Sequence, residues 1–208
     1  MSSSASTQVV LSTPFGALTL LYEKEALRAV HFGPYRRAPG VEGAQVERGT
    51  LPGPSARSLV DDLTRYFSGV PTAFSAPLDL GGHTEFQQGV WRAIRAVPYG
   101  RTTTYGQIAA DLGDRNAARA VGAALGQNPF PILIPCHRAL GSDGSLTGFT
   151  GGVAWKRALL DLENGQKDLF TAETAEAAEK KQGRVEPVRT SSLSACSAVK
   201  VFYPTATT

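Results

Sequence analysis

The side chains best suited to chemistry sit in PILIPCHRAL, residues 131–140. Cys136 is one of only two cysteines in the 208-residue chain. Pro135 precedes it, and His137 and Arg138 follow. A cysteine reacts as its thiolate, and a neighbouring base or cation makes it one. His137 is adjacent, but successive side chains in an extended segment point to opposite sides. The imidazole therefore reaches the sulfur only if the backbone turns there, or through a water. A carboxylate that holds the imidazole from its far side completes a Cys-His-acid arrangement for nucleophilic catalysis. Glu163, at the end of the last helical pattern, is the candidate. A buried structural cysteine is the plainer alternative, and the neighbouring residues alone leave both open.

Metal binding has weaker support. Cys136, Cys196, His31, His83 and His137 do not fall at zinc-type ligand spacings, so no metal is expected. A Cys136–Cys196 disulfide is not expected either, because Cys196 falls in the expected disordered tail of a chain whose cysteine usage fits a reducing compartment.

The elements that must position these residues divide into two units and a tail. Three apolar runs in VVLSTPFGALTLLYEKEALRAVHF (9–32) are broken at Thr13-Pro14-Phe15-Gly16 and at Glu23-Lys24-Glu25, which predicts an antiparallel meander. Residues 33–54 are rich in Gly and Pro and read as a loop. Leu59, Val60, Leu63, Tyr66 and Phe67 fall at helical spacing, so 55–68 is expected to be a helix covering the sheet. Residues 69–82 read as a linker. The first unit, 1–82, is thus an α/β domain with its linker.

The second unit, 83–165, is mostly helical. Thr84 with Gln87 predicts a capping box, with Phe86, Val90, Ile94 and Val97 on one face behind it. Thr104 with Gln107 predicts a second box and a short helix through Leu112. After Gly113, Asp114 or Asn116 is expected to cap a helix over 117–126. Two short helices joined by a tight Gly-containing turn outline a helix-turn-helix. Pro129, Pro131 and Pro135 forbid a long helix around Cys136. A Gly-rich loop over 141–152 precedes a last helix carrying Trp155, Ala158, Leu159 and Leu162. Residues 166–208 are expected to be a peripheral, disordered tail.

Composition bounds the setting. Hydrophobic residues make up 42% and charged residues 19%, enough for a real core. No stretch approaches a membrane span, and MSSSASTQ lacks the basic-then-apolar pattern of an export signal. The expected location is the cytoplasm, associated with the nucleoid, or the nucleus in a eukaryote. A net charge of +3 permits a nucleic-acid partner without demanding one.

The stretch TTTYGQIAADLGDRNAARAVGAALGQNPFPILIPCHRALGSDGSLTGFTGGVAWKRALLDLE (102–163) closely resembles the O6-alkylguanine-DNA alkyltransferases, also called methylated-DNA–protein-cysteine methyltransferases. It carries a Pro-Cys-His-Arg core, an Asn-Pro-x-Pro turn before it and a Gly-Phe-x-Gly-Gly loop after it, in order and at family spacing. The resemblance runs from Phe86 to Glu163. It implies a small ribonuclease H-like α/β domain followed by a winged-helix or helix-turn-helix DNA-binding domain that carries the active site. It also implies a monomer that binds duplex DNA in the minor groove and flips the damaged guanine out of the stack. The cysteine then takes the alkyl group irreversibly, with no cofactor.

Residue by residue, the resemblance makes Cys136 the nucleophile and acceptor. His137 is the base through a water, Glu163 orients it, and Asn128 braces the active-site turn. Tyr105 hydrogen-bonds the flipped guanine and helps protonate it. Arg119 fills the place the guanine left, as side-chain wedges do in minor-groove binders, and Thr104, Ala118 and Gly122 join it on the DNA-facing surface. Thr150 offers its backbone N–H to the guanine O6, where many relatives have Ser. The carbonyls of Cys136 and Ala139 read the guanine amino group, and Ala139 stands where Val is common. Phe149, Pro131 and Gly151 shape the pocket, and Lys156 supports Tyr105. Relatives that bind zinc do so with N-terminal cysteines absent here. Two other classes compete: a DNA-damage sensor in which transfer is secondary, and a Cys-His-Glu hydrolase that turns over an ester or amide without DNA.

Overall fold

The structure is a computed structural model, and it describes residues 6–33, 51–165 and 200–201. Strands β1 (Ser6–Thr13), β2 (Gly16–Glu23) and β3 (Ala26–Phe32) form an antiparallel meander. The alternation of apolar and polar residues puts Val9, Leu11, Leu18, Leu20, Leu27 and Val30 into the core. Lys200–Val201, β6, pairs antiparallel with Leu11 and Ser12 on the outer edge of β1. The rest of the expected disordered tail lies outside the described residues, as does most of the predicted 33–54 loop.

Helix α1 (Gly53–Phe67) starts two residues before the predicted position, with a proline in its first turn. That proline costs nothing there, since a first-turn N–H has no helical partner. All five apolar positions read from the spacing, Leu59, Val60, Leu63, Tyr66 and Phe67, are buried. They join one core cluster with the sheet and with the second unit.

In the second unit, α2 (Glu85–Arg95) opens on the predicted capping box: Thr84 accepts from the Gln87 amide and the Gln87 side chain accepts from the Thr84 amide. Phe86 departs from the expected core face and is exposed, while Val90, Trp91 and Ile94 further along the helix are buried. Trp91 docks α2 on α4 (Ala118–Gly126) by donating to the Ala124 carbonyl at 2.9 Å.

The second capping box is only half made. Thr104 caps α3 (Tyr105–Asp111) by accepting from the Gln107 amide, but the Gln107 side chain turns forward to Asp111 at 2.8 Å. The expected side-chain cap of α4 is also not made. Asp114 instead accepts from the Asn116 amide within the preceding turn, and Ala117 occupies the cap position. Helix α5 (Val153–Glu163) closes the unit. The two-residue strands β4 (Thr103–Thr104) and β5 (Ala139–Leu140) pair in parallel, which sets the start of α3 beside the segment that follows Cys136. Among the described residues no helix is long and apolar enough to cross a membrane.

Candidate active site

Cys136, His137 and Arg138 form a single turn of 3-10 helix, entered through Pro135. The backbone therefore does turn at the cysteine. Its tight path begins in the preceding turn, where the Ile134 amide bonds the Phe130 carbonyl at 2.8 Å and buried Ile132 adopts φ 76°. A β-branched residue in that region is strained by roughly 1–3 kcal/mol.

Asn128 ties this turn to the sulfur. Its Nδ2 donates to the Ile134 carbonyl at 2.8 Å and to Cys136 Sγ at 3.2 Å, and its Oδ1 accepts from the Phe130 amide. The N-terminal sheet holds the same turn from outside, because the Val30 amide donates to the Pro129 carbonyl at 2.8 Å.

The carboxylate of Glu163 sits behind the imidazole. Its Oε1 accepts from His137 Nε2 at 2.8 Å, from Tyr66 Oη at 2.7 Å and from Arg138 Nη2 at 2.9 Å. Its Oε2 accepts from Arg138 Nε at 3.0 Å and from the Gly100 amide at 3.1 Å. Gly100 stands at φ 71°, and a Cβ there would lie 3.0 Å from the Glu163 carbonyl oxygen, so only glycine lets the chain come this close. The partner at Nε2 leaves His137 Nδ1 as the basic nitrogen, and Nδ1 is buried with no hydrogen-bond partner among the described residues.

Electrostatics follow from burial. Burial pushes the Cys136 thiol up to about 11, against the lowering effects of Asn128 and Lys156. Burial lowers the pKa of His137, and Glu163 only partly restores it. The imidazole is therefore a neutral base at neutral pH. Burial alone would raise the pKa of Glu163, but the hydrogen bonds and charges of His137 and Arg138 prevail and hold it at about 2. The resting state is a neutral thiol and a neutral imidazole beside a fixed carboxylate.

Lys156 of α5 is buried. Its Nζ donates to the Ala139 carbonyl at 2.6 Å, to the Thr147 carbonyl at 3.0 Å and to Tyr105 Oη at 3.3 Å. Tyr105 in turn donates to the Thr147 carbonyl at 3.0 Å. Burial lowers the Lys156 pKa and raises that of Tyr105.

The Gly-rich loop is held from both units. Thr150 Oγ1 donates to the Gly126 carbonyl at the end of α4. Phe149 packs against Phe32 of β3 at 5.2 Å between ring centres, and Phe32 also packs on Trp155 at 4.6 Å. A Cβ on Gly151 would run into the Phe32 ring, which is why a glycine fits there. Pro131 is buried.

The structure thus brings Cys136, His137, Glu163 and Asn128 into one buried cluster, with Lys156, Tyr105 and Ala139 on its flank. Arg119 lies apart from it, exposed in the first turn of α4 beside half-buried Ala118. Gly122, one turn on, faces the Tyr105 ring. Thr104 ends β4 and caps α3. Sequence reasoning missed Arg138 and Tyr66 as partners of Glu163. Arg138 carried no signal beyond its place beside His137, since the burial that makes a guanidinium demand a carboxylate is decided by the fold. Tyr66 carried none beyond its place on the core face of α1. Among the described residues no group of three or more potential ligands could hold a metal.

Known proteins share this arrangement of units. Residues 8–80 match the ribonuclease-like domain of 6-O-methylguanine DNA methyltransferase, and residues 85–165 match its DNA binding domain. The methylated-DNA–protein-cysteine methyltransferase of Mycobacterium bovis is 53% identical over 116 residues, 55% of this chain and 70% of that protein. The same-named protein of Mycobacterium leprae is 40% identical over 156 residues, 75% of this chain and 91% of that protein. The crystal structure of Mycobacterium tuberculosis OGT in complex with DNA superposes with a TM-score of 0.62 at 41% identity, covering 78% of this chain and 94% of that one. With both domains matched in order, the chain belongs to the methylated-DNA–protein-cysteine methyltransferase family.

Proposed function

We propose that this chain repairs DNA by direct reversal, moving the alkyl group of an O6-alkylguanine in duplex DNA onto Cys136. The reading rests on the buried Glu163–His137 pair, whose Nδ1, without a partner among the described residues, sits one residue from a thiol that burial keeps almost wholly protonated at neutral pH. The thiol proton passes through a water to His137 Nδ1, and Glu163 stabilises the imidazolium that forms. Asn128 stabilises the developing thiolate by its Nδ2–H donor. A sulfur–carbon bond forms as the carbon–O6 bond breaks, and the guanine leaves with a proton from Tyr105, whose hydroxyl Lys156 polarises. The thioether has no route back, so each molecule acts once.

DNA approaches through the α3–α4 helix-turn-helix, in the minor groove, with Arg119 inserted where the flipped guanine had stacked. Thr104, Ala118 and Gly122 line the approach. Small Ala and Gly side chains on α4 let its backbone lie close to the duplex. Phe149, Pro131 and Gly151 wall the alkyl pocket. The Thr150 amide and the carbonyls of Cys136 and Ala139 read the base edges. The protein acts as a monomer without metal or cofactor.

The test mixes the protein with a duplex bearing one O6-methylguanine and weighs the intact chain and its peptides. One methyl on the Cys136 peptide, saturating at one per molecule, is the expected result. Tight binding to the lesion with no mass gain would instead make the chain a damage sensor, and turnover of an ester without DNA would make it a hydrolase.

A further inference from the structure

Tyr66 belongs to α1 of the ribonuclease-like unit, far along the chain from the residues that the reaction uses. Its side chain is fully buried, yet it ends among those residues. Its hydroxyl donates to Glu163 Oε1 at 2.7 Å, the same oxygen that accepts from His137 Nε2, and lies 3.4 Å from Nε2 itself. Its ring is wedged edge-on between Phe67 and Tyr99, with Phe74 tilted against it. The hydroxyl therefore has one available position.

We propose that Tyr66 is a positioning residue for the proton transfer at Cys136: its hydroxyl competes with His137 for Glu163 Oε1 and so sets both the orientation and the basicity of the imidazole. The inference rests on the direct-reversal reading above. Oε1 carries part of the single carboxylate charge and shares it among three donors, Tyr66, His137 and Arg138. A neutral O–H that takes part of it weakens the pull on the imidazole N–H. An imidazole held less strongly charges less readily, and stays a free base to lower pH.

The groups facing His137 allow this assignment. Among the described residues Glu163 is the only anion that acts on the imidazole. Arg138 and Lys156 are cations that disfavour the imidazolium, and both are fixed by bonds to Glu163, Ala139 and Thr147. Cys136 is neutral at rest, and Tyr99 reaches Tyr66 rather than the imidazole. Tyr66→Phe removes a single heavy atom and leaves all of these groups in the chain. The residue also gives the ribonuclease-like unit a direct part in the chemistry of the other unit.

The experiment follows single-turnover methylation of the full chain on the lesion-bearing duplex as a function of pH. In Tyr66→Phe the ring packing remains and Oε1 loses one donor. The acid limb of the rate should move to higher pH by about half a unit, making the reaction roughly threefold slower within that limb. Duplex affinity should not change. Site-specific 3-fluorotyrosine at 66, a stronger donor, should move the limb the opposite way. Limbs that coincide for all three proteins overturn the inference while leaving direct reversal standing. Failure of the unaltered chain to take up methyl sinks direct reversal itself. If Tyr66→Phe does not fold, the direction of the fluorotyrosine shift decides.

Discussion

Asn128 Nδ2 donates to the sulfur of Cys136 over 3.2 Å while the same nitrogen holds the Ile134 carbonyl at 2.8 Å. One amide thus fixes the turn that aims the thiol and stabilises the charge that appears on it. Asn128→Ala should slow methyl transfer by roughly ten- to a hundredfold, the worth of a hydrogen bond to a charged group, about 1.5–3 kcal/mol. Asn128→Asp should be slower still, because a carboxylate replaces the donor. Stopped single-turnover assays on methylated duplex check both.

Burial holds the Cys136 thiol at about 11. At pH 7 about one molecule in ten thousand then carries the thiolate. Iodoacetamide should label Cys136 slowly at neutral pH and faster as pH rises, with no plateau below about pH 10. A labelling midpoint near 8 in the native protein would contradict the burial argument.

Glu163 and Arg138 form a bidentate buried pair. The Glu163 carboxyl is held at about 2, below its ordinary 4.5. Between those values the unfolded chain binds more protons than the folded one. The stabilisation is therefore complete above about 4.5 and disappears as pH falls through about 2. Arg138→Met should cost about 3–5 kcal/mol at pH 7 by leaving a buried charge unpaired. Its stability should decline less steeply than that of the unaltered protein over the same acid range. Urea unfolding at a series of pH values measures both.

Arg119 is exposed and stands apart from the Cys136 cluster. Arg119→Ala should slow repair of duplex substrate by an order of magnitude or so, the cost of one lost charged contact. Reaction with free O6-alkylguanine should be nearly unchanged. Equal losses on both substrates would remove the wedge role.

Gly151 sits under the ring of Phe32, where a Cβ cannot fit. Gly151→Ala should destabilise the protein by about 1–3 kcal/mol, the usual cost of overpacking. It should also displace Phe149, which leans on the same ring. Adding Phe32→Ala should recover part of the folding loss caused by the alanine, since the clash disappears. Thermal melts of the single and double variants test the coupling.

What the sequence determined by itself was local. Alternation marked the three strands, helical spacing marked the core face of α1, and Thr84 with Gln87 marked the start of α2, because each signal lies within a few residues. Cys136, His137 and Glu163 were legible as a set, because a thiol, a base and an acid are needed together whatever the fold. Side-chain choices at helix ends were less legible. Gln107 chose Asp111 over the Thr104 amide, and Asp114 chose the turn over α4, since several acceptors compete within reach. The tertiary structure alone decided who shares Glu163. Tyr66 lies 97 residues away, and no local pattern distinguishes a tyrosine that fills a core from one that also donates to a buried carboxylate. Lys156 was placed beside Tyr105 by the resemblance and not by its helical pattern: an amphipathic helix can place a lysine in water or beneath a loop, and the packing of α5 against the 139–147 segment put its charge inside.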